Sequence, residues 1–313
     1  FNIDSSTGVV TFKSAPNYEA PADAGANNVY DIKVTASDGS LTSTKDVAIT
    51  VTNVNEAPTV TSSGTASFAE NATGTVYTAT ATDQDAGTTL TYSISGTDAA
   101  LFNINATTGA VTFKSAPNYE APTDAGGNNV YDIKVTASDG SLSTTKDVAI
   151  TVTNVNEGPT NITVSGSQSV QETVTSGGTI GTAYDPGSTQ PVVATFAAVD
   201  PDASDTATYS IVGTSSQFVI SGNQLKVASG ATFDYETTPS YTLTIRVTDS
   251  GGLTYDKSVT VNIANYAGSY TGTAGNDTAT GTSEEDTMSG GDGNDTLNGG
   301  AGNDTIDGGN GND

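Results

Sequence analysis

Hydrophobic and polar positions alternate along most of this chain. Tyr131, Ile133, Val135 and Ala137 interleave with Asp132, Lys134 and Thr136, and Val148, Ile150 and Val152 interleave with Ala149, Thr151 and Thr153. Successive side chains of a strand point to opposite faces, so such runs of Val, Ile and Thr predict strands with one buried face. Pairs such as Thr108-Gly109 and Asp139-Gly140 mark turns between them. Short strands at roughly ten-residue spacing predict β-sandwiches. No segment carries a convincing helical period.

The pattern repeats on two scales. Residues 1–59 recur at 102–160 with nine differences, and both copies carry APNYEAP, NNVYDIKVTASDGSL and TKDVAITVTNVNE. A third, diverged copy keeps Phe218-Val-Ile-Ser-Gly-Asn, Phe233-Asp-Tyr-Glu and Tyr241-Thr-Leu-Thr-Ile-Arg-Val-Thr-Asp. The expected division is a partial unit at 1–57, a complete one at 58–158, a diverged one at 159–266 and a different segment at 267–313. In that last segment the period is nine: GTAGNDTAT, GTSEEDTMS, GGDGNDTLN, GGAGNDTID and GGNGND. The sixth position is always Asp (Asp277, Asp286, Asp295, Asp304, Asp313), and the eighth holds Ala279, Met288, Leu297 and Ile306.

Charge changes the picture next. Among 313 residues, 35 are acidic and 9 basic, a net charge of −26. Such a chain repels phosphates and anionic membrane surfaces, which argues against nucleic-acid partners. A hard divalent cation held by carboxylates is one natural counter-charge. Cys and His are both absent, which removes disulfides, thiolate sites and the commonest general base. No apolar run approaches the ~20 residues of a membrane span. The chain starts at Phe1 with no visible leader, opening and closing inside repeats, so it reads as part of something longer. No Ser-His pair, H-E-x-x-H or G-x-S-x-G is present, so no catalytic chemistry is expected.

The nonapeptides are similar to the RTX family of calcium-binding repeats, which wind into a parallel β-roll. Glycine turns leave backbone carbonyls free, and one Asp per turn completes an oxygen cage suited to Ca2+. Two nonapeptides make one coil in that family, which would pair Asp277 with Asp295, Asp286 with Asp304, and Asp295 with Asp313. The first two copies lack motif glycines, so the first coil is expected to bind most weakly.

The hundred-residue units place acids at strand ends: Glu70, Asp83-Gln84-Asp85, Glu120 and Asp139, closed by Asn154-Val155-Asn156-Glu157. The diverged copy keeps Glu172, Asp200-Pro201-Asp202, Glu236 and Asp249. This set resembles cadherin repeats, whose calcium ions sit between consecutive domains. The resemblance implies an all-β fold of tandem Greek-key sandwiches followed by the start of an RTX β-roll. It also implies a first junction of Glu19, Asn53, Asn55, Glu56, Asp83, Asp85 and Asp139. A second junction would use Glu70, Glu120, Asn154, Asn156, Glu157, Asp200, Asp202 and Asp249. The linker reads N-x-N-E-x-P where the cadherin pattern is D-x-N-D-N-x-P, one acid fewer. After the third unit, Asn262-Ile-Ala-Asn265 replaces the linker, so Glu172 and Glu236 lack a following cadherin-like partner.

Cadherin-like units leading into nonapeptides resemble bacterial RTX adhesins exported by type I secretion. That resemblance implies a secreted, extracellular, calcium-stiffened stalk at the cell surface, with other surface proteins or glycans as partners and no membrane insertion here. The alternative is the accessory region of a secreted RTX enzyme whose catalytic module lies elsewhere. A carbohydrate-binding role for the sandwiches fits less well, since Trp is absent and Tyr92, Tyr131 and Tyr241 fall at strand positions.

Overall fold

In the computed structural model, which describes residues 1–172, 191–235, 237–265, 267–282 and 284–313, the alternating runs become paired strands. Val130–Ser138 and Ser143–Thr153 form an antiparallel hairpin in which Tyr131 faces Ile150 and Ile133 faces Val148. Tyr131, Ile133, Val135, Ala137, Val148, Ile150 and Val152 are all buried, while the residues between them are half-buried or exposed. Each fully buried side chain of this size contributes about 1.5–3 kcal/mol relative to exposure, so the alternation itself sets which face turns inward.

This hairpin lies in a four-stranded sheet ordered Thr65–Ala69, Ser143–Thr153, Val130–Ser138, Thr91–Ser95. Its first pair is parallel, with Thr65 beside Ala149. A second sheet, Phe102–Ile104, Ala110–Phe113 and Thr75–Thr78, supplies Phe102, Val111 and Tyr77 to the same core. Phe102, Phe113 and Tyr131 meet at ring-centroid distances of 4.3 to 5.9 Å. The first repeat reproduces the hairpin as Val29–Ser37 against Thr42–Thr50, and its Phe1, Phe12 and Tyr30 form the matching cluster. No α-helix occurs among the described residues.

The chain divides into two compact units, Phe1–Val155 and Asn156–Asp313. The second unit begins with another pair of four-stranded sheets. One runs Asn161–Ser165, Val192–Val199, Gln224–Val227, Phe218–Ser221; the other runs Ser169–Gln171, Thr254–Ala264, Ser240–Thr248, Thr208–Ile211. Phe196, Phe218, Leu225, Phe233, Ile245 and Val261 fill the space between them. Divergence has therefore changed the residues and kept the sandwich, including the parallel pairing of Ser169–Gln171 with Thr254–Ala264.

From Ser269 onward every strand pairing is parallel. Ser269–Thr271, Thr287–Ser289 and Thr305–Asp307 form one sheet; Thr278–Thr280 and Thr296–Asn298 form the other. Partners lie 18 residues apart, two nonapeptides per coil. Gly291 and Gly300 adopt φ of 98° and 93°, and a Cβ at either would collide with the carbonyl oxygen of Thr273 or Thr282 one coil earlier. Glycine is required there by both conformation and contact. Among the eighth positions Met288 is almost fully buried, Ala279 and Leu297 are half-buried, and Ile306 in the last coil is exposed.

Candidate metal centres

Three separated segments of the first unit converge where its first repeat meets the second. Glu19 comes from a loop before Val29–Ser37, Glu56 from the linker, and Asp85 from the turn after Ala81–Thr82. Carboxylate oxygens of these three lie within 4.8 Å of one another. Asn17 Oδ1 accepts the N–H groups of Glu19 and Ala20 and so shapes the first loop. Asp83 Oδ1 accepts from Asp85 N at 2.9 Å, an Asx turn that presents both acids on one side. The linker is held by the same acids: Asp85 Oδ2 accepts from Glu56 N at 3.0 Å, and Asp85 Oδ1 from Asn53 Nδ2 at 2.6 Å. Asn55 Nδ2 donates to Asp139 Oδ2 at 2.7 Å.

The donor set fits a hard cation. Glu19 Oε1, Glu56 Oε2 and Asp83 Oδ2 are buried oxygens with no hydrogen-bond partner. Buried acceptors are almost always satisfied, and orphaned carboxylate oxygens in and around a cluster of acids are the arrangement that Ca2+ relieves. Desolvation, then the charges of Glu19, Asp85 and Asp83, push the Glu56 carboxyl above its ordinary value. Asp139 is held below its ordinary value by the N–H groups of Leu142 and Ser141, then by Asn55. Glu19, Glu56, Asp83 and Asp85 would hold the ion directly. Rotating the carboxamides of Asn53 and Asn55 would offer it their oxygens in place of N–H groups.

The linker of the second expected junction crosses the division at Val155, and each side stands by itself. In the first unit Glu70 is buried and accepts from Tyr119 N at 2.7 Å and Val155 N at 2.9 Å. Glu120 is half-buried there and Asn154 exposed. In the second unit Asn156 Nδ2 donates to Asp249 at 3.0 Å, and Glu157 N to Asp202 at 2.7 Å. These contacts repeat those of Asn55 with Asp139 and Glu56 with Asp85. Asp202 N in turn donates to Asp200 at 3.1 Å. Burial, then the charges of Asp202, Asp205 and Asp249 working against one backbone N–H, raise the Asp200 carboxyl. Burial would also raise Asp249, but Asn156 and the N–H groups of Leu253, Gly252 and Gly251 outweigh it and lower that group.

Asp205 belongs with this group and sequence reasoning missed it. Its carboxylate lies within 4.8 Å of those of Asp200 and Asp249, and its Oδ2 is buried without a partner. Thr88 stands at the matching place in the preceding repeat, so only the three-dimensional position singles Asp205 out. Glu172 is buried and accepts from Tyr235 N at 3.1 Å, as Glu70 does from Tyr119. Glu236 lies outside the described residues.

In the nonapeptides, Asp295 Oδ1 accepts from Asp277 N at 2.8 Å, Asp304 Oδ1 from Asp286 N at 3.0 Å, and Asp313 Oδ1 from Asp295 N at 2.9 Å. The structure thus brings together the three expected pairs. Asp295 is buried, and its Oδ2 has no partner. Asn276 and Asn294 pass a parallel ladder along the roll, accepting from Asn294 N and Asn312 N. The strand Ser269–Thr271 precedes the first copy and was not anticipated; its Tyr270 pairs with Met288. Burial, then Asp277 and Asp295, raise the Tyr270 phenol above its ordinary value.

Sandwiches with acids gathered at strand ends, continued by a glycine-turned parallel roll, define a class of calcium-binding repeat proteins. The cadherin domain family matches residues 64–153 and 186–264, more than half of the chain, and the RTX calcium-binding nonapeptide repeat matches 271–306 and 280–313. The chain belongs to the cadherin-domain family and carries RTX repeats after its cadherin domains; Ca2+ is the cofactor of both. Among curated relatives, human Protocadherin Fat 1 is 29% identical over 279 residues, covering 84% of this chain and 6% of that protein. Human Cadherin EGF LAG seven-pass G-type receptor 2 is 32% identical over 261 residues, 80% of this chain and 8% of that protein. The chain therefore spans less than a tenth of either. The Protocadherin GammaB4 extracellular domain superposes with a TM-score of 0.56 at 24% identity, covering 80% of this chain and 42% of that one. The PcdhgB3 EC1-4 structure gives 0.55 at 23%, covering 79% and 60%. These likenesses show the shared fold.

Proposed function

We propose that this chain is a stalk segment of a bacterial RTX-type adhesin, secreted to the cell surface and stiffened there by calcium. The observation that carries the reading is the convergence of Glu19, Glu56 and Asp85 on one point at the linker, with buried carboxylate oxygens left unpartnered. Domain interfaces move by default. An ion shared by one repeat, the linker and the next repeat restrains all three. Extracellular modules bind calcium at about 10⁻⁴–10⁻³ M, which leaves such a chain ion-free inside a cell and loaded outside. Near-identical repeats add reach, which suits holding a binding tip away from the cell in cell-cell or cell-surface attachment. Cadherin domains and RTX repeats are structural and adhesive modules, in keeping with a stalk.

Small-angle scattering across a calcium titration tests this reading, comparing the chain with Glu56→Gln and Asp85→Asn variants. Calcium should narrow the distribution of shapes for the unsubstituted chain and narrow it less for either variant. Equal narrowing in all three would remove the first junction from the mechanism.

A further inference from the structure

The turns of the roll satisfy their aspartates in two different ways. Asp295 is only 4% exposed, its Oδ1 accepts from the N–H of Asp277, and its Oδ2 has no donor. The second position of its turn is Gly291, which has no side chain to offer. In the first two copies that position is threonine. Asp277 Oδ2 accepts from Thr273 N at 2.7 Å and Thr273 Oγ1 at 2.9 Å. Asp286, 2% exposed, has Oδ2 accepting from Thr282 N at 2.6 Å and Thr282 Oγ1 at 3.1 Å.

The backbone explains why threonine is admitted at those places alone. Gly291 and Gly300 carry positive φ and press against the coil before them, whereas Thr273 and Thr282 are not among the residues of positive φ. No earlier nonapeptide coil lies beneath them to meet a Cβ. The same first coil is closed by Gly272 N donating to Ser289 O at 2.7 Å and tied to the polypeptide ahead of it: Thr287 N donates to Gly268 O at 2.9 Å, and Tyr270 pairs with Met288.

We propose that the coil carrying Thr273 and Thr282 is a cap that folds without calcium and templates the ion-dependent coils after it. Two neutral donors on each carboxylate supply what the ion supplies at Asp295. Two donors do not match a divalent ion in strength, but they satisfy Oδ2, the oxygen left without a donor at Asp295, without the cation, so the coil orders first. Loss of motif glycines at the head of the roll is then a device: it converts two calcium sites into an ion-free end that fixes register for the rest. This inference rests on the nonapeptides binding calcium, and the experiment separates the two.

Hydrogen–deuterium exchange with mass spectrometry of the full chain, in chelator and through a calcium titration, reads both halves of the roll. In chelator, peptides from 268–289 should exchange at least ~10-fold more slowly than unstructured controls, and those from 296–313 at control rates. Calcium should then protect 296–313. A Thr273→Gly/Thr282→Gly chain should lose the protection of 268–289 in chelator and regain it with calcium. Thr282→Ser, which keeps the hydroxyl, should behave like the unsubstituted chain and controls for a general folding defect. Protection of both segments together at one calcium midpoint overturns the cap and leaves calcium binding intact. Protection of neither at any calcium concentration overturns calcium binding by the roll, and the cap with it.

Discussion

At the scale of single residues, Glu56 is the most informative side chain. Desolvation, then three like charges, raise its carboxyl, so folding without calcium makes it hold its proton more tightly than the unfolded chain does. Stability falls with pH wherever the native state binds more protons. The ion-free first junction should therefore lose stability as pH rises from the ordinary glutamate value through the raised one. Calcium reverses the sign, because the ion favours the carboxylate. Its affinity should fall as pH drops through the same interval, with protons released on binding. Calorimetry in buffers of different ionisation enthalpy measures that release, and Glu56→Gln should abolish the junction's share of it. Glu56→Gln should also weaken that site by about tenfold or more, as loss of one charged ligand does in oxygen cages. An unchanged proton count in the variant would show that Glu56 does not face the ion.

At the scale of elements, the loop carrying Glu120 is held by two buried acids, Asp98 and Asp124, that join none of the acid clusters found among the described residues. Asp98 Oδ1 accepts from Ala125 N at 2.8 Å and its Oδ2 from Asp132 N at 2.7 Å. Asp124 accepts from Asn128 N and Asn129 N, each at 3.1 Å, which lets Asn129 take a left-handed φ of 61°. Asp98→Ala removes two hydrogen bonds to a buried carboxylate and should cost about 1–3 kcal/mol. Val135→Ala, in the centre of the core, should cost a comparable ~1–3 kcal/mol through its cavity. Urea unfolding in calcium measures both. Only the first should also weaken calcium binding, because only it frees the loop. The strands were legible in the sequence because a period of two is a local property; Val130–Ser138 and Ser143–Thr153 could be read residue by residue. The period of nine was equally legible, but the 18-residue pairing came only from the resemblance to RTX repeats. Convergence of Glu19, Glu56 and Asp85 was not local. Each comes from a different segment, and only the resemblance to cadherin repeats put them together. Asp205 escaped because an Asp following Pro-Asp-Ala-Ser looks like any turn residue. The strand Ser269–Thr271 escaped because Gly268 stands where the motif has Asp.

At the scale of the whole molecule, a net charge of −26 allows two quite different accounts of what calcium does. It can screen a self-repelling polyanion, or it can bridge particular carboxylates at the junctions and in the roll. Screening depends on ionic strength: the Debye length shrinks from about 10 Å at 0.1 M to about 3 Å at 1 M salt. Bridging depends on ligand number and cavity size, and Mg2+ fits such oxygen sites poorly because it demands tight octahedral geometry and keeps its water. The bridging account predicts that ~0.5 M NaCl in chelator contracts the chain slightly and leaves its shapes broad. Millimolar Mg2+ should do little more, while millimolar Ca2+ narrows the distribution and adds β signal in circular dichroism. Scattering and dichroism on one sample, taken through all three conditions, separate the accounts. If sodium chloride alone matched calcium, the acids at the strand ends would be acting as diffuse charge. The orphaned oxygens of Glu19, Glu56 and Asp83 argue for the other outcome, since screening at a distance does nothing for an acceptor already out of reach of water.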